Sequence, residues 1–337
     1  MSRAIVFGLF LLPSCATPPP RSAAPPPTAA NTEVEAPTAK REPHAPAPEP
    51  TDTGARVAVA QGMTCIRKGE HVDCRVRSFG ARLAGQPLTS LSNVREIAAG
   101  EMHACVIERS GELLCWGHNE NGELGDGTTE GRWEPREVPD VPAAVKLAVG
   151  NRMMCALFAD DSVRCWGGMG ANPPRTRPQR VTVNGKVRSI SAGFFQACVA
   201  LDDGKVSCFG PSGQVVQEVS GVTEAVEVAV GSHACARRRD GSVWCWGNNG
   251  NGQLGRPPSD EVPRPVAGLP RATQIAAGPY HTCALLADGK VSCWGALGGG
   301  EHVPTTMPGF ENIAEIAAGY DGVCAITRDG NDVCNSD

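Results

Sequence analysis

The chain has 337 residues, of which 40 are Gly and 28 are Pro, about a fifth of the total, and only 5% are aromatic. Gly and Pro weaken helix interiors and favour turns, so long helices are excluded and many short strands are expected. A net charge of −5 gives no basic footprint for wrapping nucleic acid, and fifteen cysteines are too many for a reducing compartment unless they bind metal or do redox chemistry.

Residues 1–15 supply the compartment. Met1-Ser2-Arg3 is a short basic start, Ala4 to Leu12 is apolar, and Leu12-Pro13-Ser14-Cys15 follows. An apolar run this short cannot cross a bilayer as a helix, and reads as a secretion signal. Its end resembles the bacterial lipoprotein signal, although Pro13 stands where Ala, Ser or Thr is usual. The resemblance implies that Cys15 carries a diacylglycerol thioether and becomes the mature N-terminus, anchoring the protein outside the cytoplasm. Ala16 is not the Asp that marks inner-membrane retention in the enteric system, which favours the outer membrane, with the chain facing the periplasm or the cell surface. The alternative is an ordinary cleaved signal peptide with an incidental cysteine.

Residues 16–52 hold 11 Pro and 9 Ala, and Val34 is their one larger aliphatic residue. Such a segment cannot bury a core and is expected to be a disordered tether, with a reach of roughly 100 Å at about 3.1 Å per residue.

From residue 53 to 337 the cysteines fall in pairs: Cys65/Cys74, Cys105/Cys115, Cys155/Cys165, Cys198/Cys208, Cys235/Cys245, Cys283/Cys293 and Cys324/Cys334. First members recur about every 43 residues, the period of a propeller blade. Upstream of most pairs lies a short apolar run closed by Gly, as in Ile97-Ala98-Ala99-Gly100 and Ile275-Ala276-Ala277-Gly278. Small side chains of this kind suit the strand nearest a propeller axis, where blades converge.

The spacing inside the pairs fits a hairpin. Where the separation is ten, facing cysteines leave a three-residue loop, such as Arg109-Ser110-Gly111 or Ala287-Asp288-Gly289, whose third position needs positive φ. Gly fills it in five pairs and Asp161 in one; the first pair, separated by nine, centres a two-residue loop on Gly69-Glu70. Opposed strand residues have Cα atoms about 4.5 to 5.5 Å apart, within reach of a disulfide. Seven intra-blade disulfides are therefore expected. Zinc is the competing use, but the spacing is not Cys-x2-Cys and four thiolates do not converge.

The stretch from Ile275 to Leu285, continued by Asp288-Gly289-Lys290-Val291-Ser292-Cys293-Trp294-Gly295, resembles a repeat of the regulator of chromosome condensation type. So do the tails from Cys245 to Gly255 and from Cys115 to Gly125. The resemblance covers about residues 55 to 334 and implies a seven-bladed β-propeller, in agreement with the cysteine count. The aromatic after the second cysteine is Trp116, Trp166, Phe209, Trp246 and Trp294 in five blades, but Arg75 in the first and Asn335 in the last. Because three residues follow Cys334, the last blade lacks an outer strand, or residues before Arg56 supply one.

The family's founding activity, nucleotide exchange on a nuclear GTPase, does not suit an acidic, disulfide-rich chain bearing a secretion signal. A glycan-active propeller, sialidase-like or a lyase, is the enzyme alternative, yet Asp240 and Gly241 are adjacent where the sialidase turn separates them, and Tyr280 and Tyr320 are the only tyrosines. No phosphate loop, nucleophile elbow or His-Glu-x-x-His occurs. His103, His233 and His281 hold equivalent positions and invite a metal, but local bonding within each blade is the expected role. Arg237-Arg238-Arg239 reads as a solvated turn. The chain is thus expected to be a monomeric, non-catalytic envelope scaffold with no cofactor and no bound metal. Its partner would be a protein or an envelope polymer and not nucleic acid. The longest inserts, Glu120 to Val138 and Asn248 to Val262, with His118, Asn119, Asn248 and Asn249 at their bases, are the candidate binding loops.

Overall fold

The computed structural model describes residues 57–335, apart from 61–62, 70, 77–90, 92, 169–172, 211–215, 258–260, 299–301 and 321. The expected signal with Cys15 and the Pro/Ala-rich segment lie outside the described residues.

Seven antiparallel sheets follow one another along the chain, each a meander in which sequence neighbours pair. Blade two is representative, with strands Val94–Ala99, His103–Glu108, Leu113–Gly117 and Arg132–Glu137. The inner strands of the other blades are Val57–Ala60, Ala144–Val149, Val187–Ala192, Ala225–Val230, Ala272–Ala277 and Ile313–Ala318. The chain is a seven-bladed β-propeller. Among the described residues, blades one and seven have three strands each.

The hairpin arithmetic holds in detail. Glu108 N–H bonds the carbonyl of Glu112 at 2.9 Å and closes the loop 109–111, in which Gly111 has φ 91°. Asp161 takes the same left-handed conformation at φ 58°, which Asp tolerates. Alternation from the bonded 108–112 pair puts Cys105 and Cys115 at a non-hydrogen-bonded site, where side chains approach most closely. All seven pairs are disulfide-bonded, with Cα separations of 4.0–4.2 Å, somewhat tighter than the sequence expectation.

The core lies between blades. Cys105 and Cys115 of blade two pack with Trp166, Met154 and Phe158 of blade three, and Cys235 and Cys245 of blade five pack with Trp294 of blade six. The disulfides of blades one to five therefore each face the aromatic of the following blade. That pattern explains the two departures. At the sixth junction Phe310 and Met307 fill the space left by Asn335. At the ring closure, Val57 and Ile66 meet Cys324 and Ile326 in the smallest cluster. Closure runs through this packing and through Val57 N–H, which bonds Glu315 Oε1 at 3.4 Å.

Outer strands carry Pro and Arg, as in Arg132–Glu137 (RWEPRE) and Arg175–Val181 (RTRPQRV). Both residues obstruct pairing with a second chain, which protects an exposed sheet edge.

Candidate binding face and central channel

The inner strands surround a channel with two unlike ends. In six blades the pairing of inner and second strands shifts register at the second inner position, as between Val94 and Glu96. A bulge re-aims the next side chain. Here it turns Glu96, Lys146, Ser189, Glu227, Gln274 and Glu315 to one end of the channel, a polar funnel of about 650 Å³.

Most of these side chains reach the next blade. Glu96 Oε1 accepts from Leu147 N–H at 2.9 Å, Ser189 Oγ from Val228 N–H at 3.3 Å and Glu227 Oε1 from Ile275 N–H at 3.3 Å. Gln274 clamps Ile316 from both sides, accepting its N–H at 2.8 Å and donating to its carbonyl at 3.0 Å. An inner strand exposes main-chain groups on its free edge, and these acceptors satisfy them. Lys146 cannot accept and is the exception. Burial holds the Glu96 and Glu227 carboxyls above the usual range; neighbouring cations, Arg237 at 2.6 Å from Glu227 among them, oppose that rise. The sequence reading missed this ring, although its signal was present as one polar residue at the same place in otherwise apolar strands.

The opposite end is a neck of about 80 Å³. A Cβ on Gly150 would lie 2.2 Å from the Gly193 carbonyl oxygen, on Gly193 2.1 Å from that of Gly231, and on Gly231 1.9 Å from that of Gly278. The glycine that closes the inner strand in blades two to seven is thus the residue that lets neighbouring backbones converge. Phe194 N–H bonds the Gly231 carbonyl at 3.1 Å in the same circle.

Around the neck, on the loops after the inner strands, stand Phe194, Phe195, Tyr280 and Tyr320. Their rings form a chain: Tyr280 meets Tyr320 edge-on at 5.6 Å, Tyr320 meets Phe194 at 6.3 Å, and Phe194 meets Phe195 at 6.1 Å. Phe195 is 69% exposed and Tyr280 39%. Across the neck the character is ionic: Glu101, His118, Glu120 and Arg152 border a small hollow, with Arg152 paired to Glu101 at 3.6 Å.

The candidate loops are placed as follows. Asn119 is buried; its Nδ2 donates to the carbonyls of Thr128 and Glu130 at 3.1 Å, and its Oδ1 accepts from Leu124 N–H at 2.8 Å. Asn249 repeats this in blade five, on the Arg256 carbonyl at 2.9 Å and Leu254 N–H at 3.0 Å. Both asparagines shape their loops from within. His118 and Asn248 are exposed beside them, and His118 sits edge-on to Trp133.

The three histidines are buried. One of them departs from bonding within its own blade: His233 Nε2 bonds Thr282 Oγ1 of the next blade at 2.5 Å, whereas His281 Nε2 has no hydrogen-bond partner. Thr282 Oγ1 itself donates to the Gln253 carbonyl, so it accepts from His233, which fixes the Nε2–H tautomer. In the matching place beside His103 stands Met154, and His103 Nε2 has no partner. Burial lowers the imidazole pKa to about 3 for His103 and His233 and about 4 for His281. Among the described residues no group of three or more His, Cys, Asp or Glu side chains is arranged for a metal. The Arg237-Arg238-Arg239 run is mostly engaged: Arg237 holds Glu227, and Arg238 holds Glu224 at 2.8 Å and lies over Trp244. Arg239 alone is a solvated turn residue.

Disulfide-stapled blades, a glycine-closed neck and loop-bearing faces define a repeat β-propeller. Comparison with known families matches the regulator of chromosome condensation (RCC1) repeat at residues 110–157 and 240–285, with a second description of the same repeat at 94–123. The chain thus carries RCC1-type repeats at these residues of its seven-bladed propeller. It is 27% identical over 197 residues to the ultraviolet-B receptor UVR8 of Arabidopsis thaliana, covering 50% of this chain and 45% of that one. It is 29% identical over 218 residues to human E3 ubiquitin-protein ligase HERC2, covering 55% of this chain and 4% of that one. The chain thus spans less than half the length of either relative. Yeast RCC1 (Prp20), solved with Kap60, superposes with a TM-score of 0.65 at 20% identity, over 78% of this chain and 72% of that one, a likeness of fold.

Proposed function

We propose that the chain is a non-catalytic binding module of a bacterial cell envelope, in which Cys15 is lipidated, residues 16–52 act as a tether and the propeller presents a rigid face to a protein partner. The observation that carries this reading is how firmly the loops of one face are held. The main-chain carbonyl of Glu123, in the first insert, accepts the indole N–H of Trp166 in the next blade at 2.7 Å, and that of Gln253 accepts Trp294 at 2.9 Å. Loops fixed in this way lose little conformational freedom on binding, which favours affinity. Solved relatives support a protein partner: yeast RCC1 is described as bound to Kap60, and Prp20p by its binding to Gsp1p and histones.

The test has two arms. Metabolic labelling with an alkyne fatty acid should tag the wild-type protein and not the Cys15→Ser variant; equal labelling, or none, removes the anchor. Purified propeller should leave glycan and ester libraries unchanged and should not accelerate nucleotide release from a GTPase. Turnover of any of these overturns the non-catalytic reading.

A further inference from the structure

We infer that the aromatic crescent at the neck, Phe194, Phe195, Tyr280 and Tyr320, is the docking surface, and that its occupant is a protein loop presenting an apolar side chain flanked by a basic one. This rests on the reading of the chain as a protein-binding module and narrows it from a face to a patch. The crescent holds both tyrosines of the chain and two of its eight phenylalanines, in a protein otherwise poor in aromatics. Phe195 exposes most of its ring to water although the inter-blade cores bury Trp116, Trp166, Trp294 and Phe209 almost entirely. Among the described residues, Pro279 and Ser232 complete the sector without adding charge; Ser232 Oγ is tied to the Pro279 carbonyl.

The sector therefore has the composition of the centre of a protein interface, where aromatics are enriched and charges are depleted. Aromatic residues with few rotatable bonds are also the commonest energetic anchors. The neck beneath, about 80 Å³, admits a side chain and no larger body.

Charge selects the flank. Across the neck, Glu101 and Glu120 outnumber Arg152, while the carboxylate of nearby Glu123 is already held by the N–H and amide of Asn121. A lysine or arginine beside the partner's apolar residue would meet this surplus, with a salt-dependent association rate. A glycan is the less suited occupant, because the phenylalanines offer no hydrogen bond and the two tyrosine hydroxyls are turned toward each other at 3.4 Å.

The test is site-specific photo-crosslinking with benzoylphenylalanine in the full-length protein, in its native cells. The probe replaces Phe195 or Tyr280 and, in parallel strains, His118, Asn248, Gln179 on the outer strand of blade three, or Asp203 on the far face. These positions are exposed, so the fold is retained in every strain. The expected result is a discrete protein adduct at Phe195 and Tyr280 whose cross-linked peptide holds an apolar residue next to Lys or Arg. Phe195→Ala with Tyr280→Ala should then weaken binding of the identified partner about tenfold or more. Protein adducts confined to His118 and Asn248 would overturn the crescent and leave the protein-binding reading intact. Adducts with glycan, or none at any position, would overturn both.

Discussion

The indole N–H of Trp294, in blade six, and the hydroxyl of Thr282 both donate to the main-chain carbonyl of Gln253 in blade five, each at 2.9 Å. At the equivalent junction of blades two and three, Trp166 donates to the Glu123 carbonyl at 2.7 Å, and Met154 stands in place of the threonine. One carbonyl has two donors and the other has one. Trp166→Phe strips Glu123 of its indole donor and leaves a buried carbonyl exposed to a desolvation cost of about 1–3 kcal/mol; Trp294→Phe leaves Thr282 in place and costs about 1 kcal/mol for the hydrogen bond. The loss of ring volume is common to both variants. Thermal unfolding should therefore show the larger fall in midpoint for Trp166→Phe, and equal falls would show that the second donor contributes nothing.

The same junctions set a pH dependence. His103, His233 and His281 stay neutral in the folded state down to about pH 3 to 4, because burial penalises the imidazolium. In the unfolded chain they titrate near pH 6.5. Below that pH the unfolded state binds more protons, so stability falls as pH drops from about 6.5 toward 3 and is unaffected by these groups above it. Glu96 and Glu227, whose carboxyls are raised, act in the opposite sense above their unfolded pKa. The discriminating variant is His103→Phe, whose Nε2 has no hydrogen bond to lose. Denaturant melts between pH 4 and 8 should show a slope shallower by about one proton in this variant, with little change at pH 8. An unchanged slope would mean that His103 is protonated in the fold.

Much of the fold was written in spacing. The ten-residue cysteine separations, the Gly or Asp at the third loop position and the period of about 43 residues fixed blade number, hairpin register and disulfide pairing, because each is a local geometric requirement. The ring of Glu96, Ser189, Glu227, Gln274 and Glu315 was visible only as scattered polar residues. Its meaning needs the bulge before it and the free strand edge of the following blade, and both are products of assembly. Asn119 and Asn249 sit in a motif that reads as an exposed polar loop, whereas their side chains point inward and bond main-chain atoms up to eleven residues away. The aromatic crescent comes from loops in blades four, six and seven, so no linear window contains it.

The neck glycines make a prediction about packing alone. Gly231 does not have positive φ, so alanine suits its backbone; the obstacle is a Cβ placed 1.9 Å from the Gly278 carbonyl oxygen. Gly231→Ala should destabilise by about 1–3 kcal/mol through overpacking. Gly210→Ala, where nothing lies within 4 Å, should be neutral. Equilibrium unfolding in guanidinium separates the two. A neutral Gly231→Ala would show that the neck relaxes freely and that its close convergence is not required.

The disulfides should open in an order set by burial. Cys105, Cys115, Cys155, Cys165, Cys235, Cys245, Cys283 and Cys293 are wholly shielded, and Cys65 and Cys74 nearly so. Cys334 and Cys208 are partly exposed. Cys334 also sits at the ring closure, where the core is smallest. A reductant needs access to sulfur before exchange can begin. Under native conditions, alkylation time courses with peptide mapping should therefore find Cys324–Cys334 and Cys198–Cys208 opening first, with the other five bridges resisting until the chain unfolds. Replacing Cys324 and Cys334 together by Ser should cost on the order of 2–3 kcal/mol from chain entropy. It should also raise amide exchange first in blades seven and one, whose mutual packing is thinnest. Simultaneous opening of all seven bridges would instead mean that the propeller unfolds as one unit before any sulfur is reached, and that the closure is no weaker than the other junctions.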